Sequence, residues 1–146
     1  MDKILIILDK INVNNKLMID DIQSLIKAKG VEIFYVSLVE IPLQYPIDTE
    51  NEYFKKDFEN AEQSLKSFES ELNIKRIPKS RKSGGLLKVR DVSYGIIEQT
   101  SLNSIDLVIV PEKIIQSNSN RFNKESYLSK IINSLNSSIM IWRGQE

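Results

Sequence analysis

The sequence predicts an α/β fold, a doubly wound parallel sheet with helices on both faces, and three observations predict it. Four segments, Lys3–Leu8, Val31–Val39, Ile105–Val110 and Ser138–Trp142, are nearly continuous in apolar residues. Continuous rather than alternating apolarity suits strands covered on both faces. Between these runs the apolar period changes to 3.6, and strands alternating with helices make successive right-handed βαβ units. The 146 residues contain no internal repeat and no interdomain linker, so 1–146 reads as one domain with a sizeable core.

Each element has its own signal. After the first strand, Met18, Ile22, Leu25 and Ile26 form one helical stripe, with Gly30 as the stop. Val31–Val39 is rich in β-branched and aromatic residues, as strands are. Phe54, Phe58, Ala61, Leu65, Phe68 and Leu72 follow a strict four–three spacing. That spacing suits a coiled coil, but the run barely reaches three heptads, which favours a helix packed on the sheet. A weaker strand is expected near Ile74–Pro78. Val89, Val92, Ile96 and Ile97 predict a third helix; Leu128, Ile131, Ile132 and Leu135 predict a fourth. The Ser/Asn-rich stretch Gln116–Asn123 reads as a loop.

Composition excludes much chemistry. The chain has no cysteine and no histidine. Disulfides, thiolate nucleophiles and zinc–thiolate sites are ruled out, as are the commonest general base and the commonest metal ligand. Any catalysis would run on Asp, Glu, Lys, Ser or Tyr. No apolar run approaches the ~20 residues of a membrane span. Met1-Asp2-Lys3 leads into a short apolar run stopped by Asp9, without a small-residue cleavage site, so no signal peptide is read and a cytoplasmic location is expected. The formal net charge is zero, which gives no overall case for nucleic acid.

In open α/β sheets ligands sit beyond the carboxyl ends of strands, where strand order reverses. Asp9-Lys10 and Val110-Pro111 occupy such ends. Asp9 there either accepts hydrogen bonds from a ribose or amine, or caps a turn or the following helix, the commoner use of Asp. After Val110 the chain reads Pro111-Glu112-Lys113-Ile114-Ile115, and no glycine follows until Gly144. A turn of this kind is where glycines usually let backbone approach a phosphate.

Several segments together resemble the universal stress protein family. They are Ile4-Leu5-Ile6-Ile7-Leu8-Asp9, Asp106-Leu107-Val108-Ile109-Val110-Pro111, Glu125-Ser126-Tyr127-Leu128 and Ile139-Met140-Ile141-Trp142-Arg143. Val89–Ile97 is similar to the third helix of members fused to, or encoded with, membrane transporters. The resemblance implies a five-stranded parallel sheet of order 3-2-1-4-5, of the adenine nucleotide alpha hydrolase-like kind, and homodimers that often pair through the last strand. It also implies a phosphate loop of the form Gly-x-x-Gly-x9-Gly-[Ser/Thr]. Carried over, the first two glycines fall on Pro111 and Ile114 and the third on Glu125, with about one extra residue in the loop; Ser126 alone matches. Asp9 corresponds to the acid near the ribose, and Val36 to the position facing adenine. With Lys10, Val110, Pro111 and Tyr127 these make the candidate nucleotide site.

The departures weigh against ATP. Proline has no N–H to donate, and its φ is fixed near −65°. Ile114 brings a branched side chain to a point of close approach. A carboxylate such as Glu125 ~4 Å from a phosphate charge costs up to about 4 kcal/mol at an effective dielectric of 20. One serine hydroxyl returns ~1 kcal/mol. A re-routed loop would need Lys10, Lys113 or Arg121 for charge.

Residues 48–71 carry eight acids and three bases, whereas Lys75, Arg76, Lys79, Arg81, Lys82, Lys88 and Arg90 crowd 75–90 without an acid. The basic segment reads first as a solvated face and loop around Pro78 and Gly84-Gly85; docking to an acidic partner or anionic headgroups is the alternative. Without interleaved aromatics it does not suit nucleic acid. Ser138–Trp142 would be an apolar edge strand, and two-fold pairing through Ile139, Met140, Ile141 and Trp142 would cover it and bury Trp142. Three functions follow as expectations. The first is a regulatory or signalling domain in stress response that dimerises, contacts partners and takes no cofactor. The second is an ATP- or AMP-binding member using Mg, with at most slow hydrolysis. The third is a cytosolic accessory to a membrane transporter. A flavodoxin-like relative is the alternative fold.

Overall fold

Strand β1 (Lys3–Ile7) leads through helix α1 (Asn12–Ile26) to β2 (Glu32–Glu40). A 3₁₀ turn at Glu52–Phe54 opens helix α2 (Lys55–Ile74), and a second at Lys79–Arg81 precedes β3 (Lys82–Val89). Helix α3 (Val92–Leu102), β4 (Leu107–Pro111) and β5 (Ser138–Trp142) follow. This computed structural model describes residues 2–8, 12–114, 131 and 133–144, with the side chains of 12 and 13 excepted. All five strands are parallel, in the order β3-β2-β1-β4-β5.

The apolar runs are continuous because β1 is buried on both faces. Ile4, Ile6 and Leu8 pack with Met18, Ile19, Ile22 and Ile26 of α1 and Phe68 and Leu72 of α2. Leu5 and Ile7 face the other way, with Val36, Val92, Ile96, Val108, Val110 and Ile131. Each fully buried Leu or Ile stabilises the fold by roughly 1.5–3 kcal/mol. The four–three stripe is the sheet-facing side of α2, with Ala61, Phe68 and Leu72 buried. Gly30 adopts φ +83°, which a side chain would resist, in the turn between α1 and β2.

Three expectations need correction. The strand near Ile74–Pro78 is not one: Ile74 is the last residue of α2, Ile77 drops into the core, and Pro78 caps the 3₁₀ turn. The edge strand lies instead at Lys82–Val89, within the segment read as a loop. Its glycines hid it. Gly84 is required because the Tyr35 ring crosses it; a Cβ there would lie 2.0 Å from Tyr35 Cε2. Val89 belongs to this strand, and α3 begins only at Val92, where the Asp91 carboxylate accepts from the Ser93 N–H at 3.0 Å. Pro111 ends β4 rather than starting a turn, and it pairs with Trp142 of β5. The registered pairing of β4 with β1 stops at Ile109, so the missing proline N–H leaves no ladder bond broken on that side. Of the fourth stripe, Ile131 is buried and Leu135 half-buried; Leu128 and Ile132 lie outside the described residues, as does the loop Gln116–Asn123.

Candidate functional site

The chain runs outward from β1 to β3 and then returns to β4 on the other side of β1. The carboxyl ends of β1 and β4 are therefore the topological switch point. There the Leu8 N–H donates to the Val36 carbonyl at 2.9 Å, tying the end of β1 to β2. The side chains of Val36 and Val110 are buried in one apolar cluster with Leu5 and Ile7. Pro111 is also buried. Asp9, Lys10, Ser126 and Tyr127 lie outside the described residues, as do Glu125 and Arg121.

Beyond β4 the chain turns helical at once, over residues 112–114. Ile114 packs against the apolar cluster that holds Val110. The Glu112 carboxylate meets the Arg143 guanidinium, just past β5, at 3.5 Å. Among the described residues Asn14, Pro111, Glu112, Lys113, Trp142, Arg143 and Gly144 line a depression there of about 10 Å³. That is room for one water, against the 300–1,000 Å³ common for ligand pockets.

At the β5 edge, Ile139 and Met140 are half-buried against the two apolar clusters, and Ile141 is 37% exposed. Trp142 needs no second copy to be buried. Its indole lies in the α1-side core, and its Nε1–H donates to Asp21 Oδ2 at 2.7 Å.

The basic segment is largely occupied by its own chain. The Arg81 guanidinium donates to the carbonyls of Val31 at 2.8 Å and Ala28 at 2.7 Å. Arg90 reaches the carbonyls of Pro42 and Tyr45, each at 2.7 Å. Lys75 pairs with Asp20 at 2.9 Å, and Lys82 donates to Asn73. These bases hold loops and helix ends in place.

The sequence did not point to a larger cavity of about 390 Å³ between the start of α2 and β3. Phe58 and Leu86 form its apolar floor, and Glu50, Glu52, Glu59 and Glu62 rim it with Lys55 and Lys88. The Lys88 ammonium stands 5.0 Å from the Phe58 ring centroid, a cation–π arrangement. The acidic bias of 48–71 was its only trace in the sequence. Nearby on β2, the buried Tyr35 hydroxyl donates to Glu69 Oε2 at 3.1 Å. Burial first, and the Glu69 carboxylate second, push the Tyr35 pKa from 10.0 up to about 12.

Among the described residues no group of three or more acidic side chains is placed to hold a metal, and no helix is long and apolar enough to cross a membrane. Neither protein-family models nor curated protein sequences match the chain. Solved structures do. A universal stress protein from Archaeoglobus fulgidus superposes with a TM-score of 0.67 at 12% identity, covering 98% of this chain and 99% of that one. The same organism's universal stress protein in complex with dAMP gives 0.60 at 13%, covering 98% of each chain. A universal stress protein family protein from Arabidopsis thaliana with AMP bound gives 0.61 at 8%, covering 99% of this chain and 93% of that one. The likeness spans the whole sheet and its helices, and the chain has the fold of the universal stress proteins.

Proposed function

We propose that this chain is a regulatory or signalling domain of the universal stress protein kind that acts by dimerisation and partner contact and binds no ATP. The observation that carries the reading is the end of β4. Pro111 is buried and fixed in the strand, and Ile114 is anchored in the core three residues later. A phosphate held by a loop needs several converging backbone N–H groups and close approach. The first position has no N–H to offer, and the second carries a branched side chain packed against the core. Glu112 adds a carboxylate beside that same turn, already engaged with Arg143.

A second reading has its own support. The neighbours from Archaeoglobus fulgidus and Arabidopsis thaliana carry dAMP and AMP. A monophosphate places less charge near Glu112 than ATP does, and Lys113 sits in the same turn. In that case Asp9, Lys10, Ser126 and Tyr127 would complete the site around Val36, Val110 and Pro111.

Native mass spectrometry of freshly purified protein, with Mg-ATP and separately with AMP, separates the two. The expected result is a dimer without adduct at millimolar nucleotide. One nucleotide per chain would overturn the first reading and establish the second, and Asp9 and Ser126 variants would then be assayed for hydrolysis.

A further inference from the structure

Among the described residues no strand flanks the outer edge of β3, which is paired with β2 along all eight of its residues. A long, regular open edge is a template for another strand. The two ends of this edge carry opposite charge. At the carboxyl end is the cavity where Glu50, Glu52, Glu59 and Glu62 outnumber Lys55 and Lys88. At the amino end are Lys79, Lys82 and Arg76, with Ile74 exposed beside them. The ends are about 23 Å apart, seven steps of ~3.3 Å. At ~10 Å Debye length they do not neutralise one another within a chain. An added Cβ at Gly85 would meet nothing within 4 Å, so packing inside the chain gives no reason for a glycine there. A glycine within a strand often marks the close approach of another backbone.

We propose that β3 pairs antiparallel with β3 of a second copy of this chain, about a two-fold axis near Leu86. A two-fold interface must be complementary to itself, and an edge with opposite charge at its two ends is. The rotation brings Lys79 and Lys82 of one copy to the Glu59–Glu62 rim of the other, twice. It offers the exposed Ile74 to the Phe58–Leu86 floor. The register sets Lys88 across from Gly84, and Lys82 across from Arg90, whose guanidinium is turned to the carbonyls of Pro42 and Tyr45. The inference rests on the reading that the chain works through contacts with other chains, and it names a surface different from β5.

Charge reversal tests it by sedimentation of the full chain. E59K/E62K and K79E/K82E should each weaken the dimer by about tenfold or more, as should raising the salt. An equimolar mixture of the two variants should restore a dimer containing one of each, because both contact zones again become attractive. Native mass spectrometry with one variant labelled with ¹⁵N identifies that heterodimer. A wild-type monomer at high micromolar concentration, assembly unchanged by either reversal, or no restoration on mixing would overturn the proposal. A dimer indifferent to the reversals but lost in Ile141→Asp also overturns it, while leaving the dimerisation reading intact.

Discussion

The Tyr35 ring occupies the space a side chain on Gly84 would need, whereas Gly85 beside it faces open space. Two adjacent glycines in one strand should therefore respond differently to alanine. Gly84→Ala should destabilise by about 1–3 kcal/mol through overpacking against the ring. Gly85→Ala should be neutral or stabilising by up to about 1 kcal/mol, because glycine costs backbone entropy in a strand. Urea unfolding of dilute protein decides between them; equal losses would refute the packing account. Tyr35 also sets an alkaline limit. Its pKa is about 12 in the fold against 10.0 ordinarily, so the folded state favours the neutral phenol. That contribution is complete below pH 10 and is lost as pH rises from 10 through 12, by about 3 kcal/mol in all. Tyr35→Phe should flatten the stability profile over that window, at a neutral-pH loss of about 1 kcal/mol for the bond to Glu69.

The elements differ in how openly the sequence displays them. β1 is legible because Leu5 and Ile7 are buried on one face while Ile4 and Ile6 are buried on the other, which forbids polar positions. β3 is not legible. An edge strand shares its ladder with one neighbour only, and this one carries lysines and glycines whose reasons, Phe58 and Tyr35, lie in other elements. β5 reads in the sequence as an edge needing a partner, yet its tryptophan is satisfied by α1. Trp142→Phe should cost about 1 kcal/mol for the lost bond to Asp21. Trp142→Ala should cost about 3–5 kcal/mol for the emptied core space. Chemical denaturation measures both. If either is neutral, the indole is not held as described.

At the scale of the whole molecule, the order β3-β2-β1-β4-β5 brings the ends of β1 and β4 to one crevice. The candidate site was legible as a place, since strand ends at a reversal follow from alternating strands and helices. Its chemistry was legible only as an expectation. Pro111 and Ile114 argue in the sequence against a phosphate loop; in the fold Pro111 is buried at the end of β4 and Ile114 is partly buried against the core. The prediction at this scale is a dimer that gains no nucleotide mass in millimolar Mg-ATP. The acid-rimmed cavity by β3 was not legible, because its floor and rim come from α2, the segment before it and a distant strand.

Residue types and their spacing suffice for the parallel α/β class, the two-faced burial of the inner strands and the lack of thiol and imidazole groups. These depend on residue type and short-range period. Packing between elements is what puts Pro111 in a strand, makes Lys82–Val89 the sheet edge and covers Trp142 with its own chain. Each of those depends on a neighbour far away in sequence: Trp142 across from Pro111, Tyr35 beneath Gly84, and Asp21 beside Trp142. Local propensity carries no information about such contacts, because packing between elements, rather than preference within them, sets which conformation has the lower free energy.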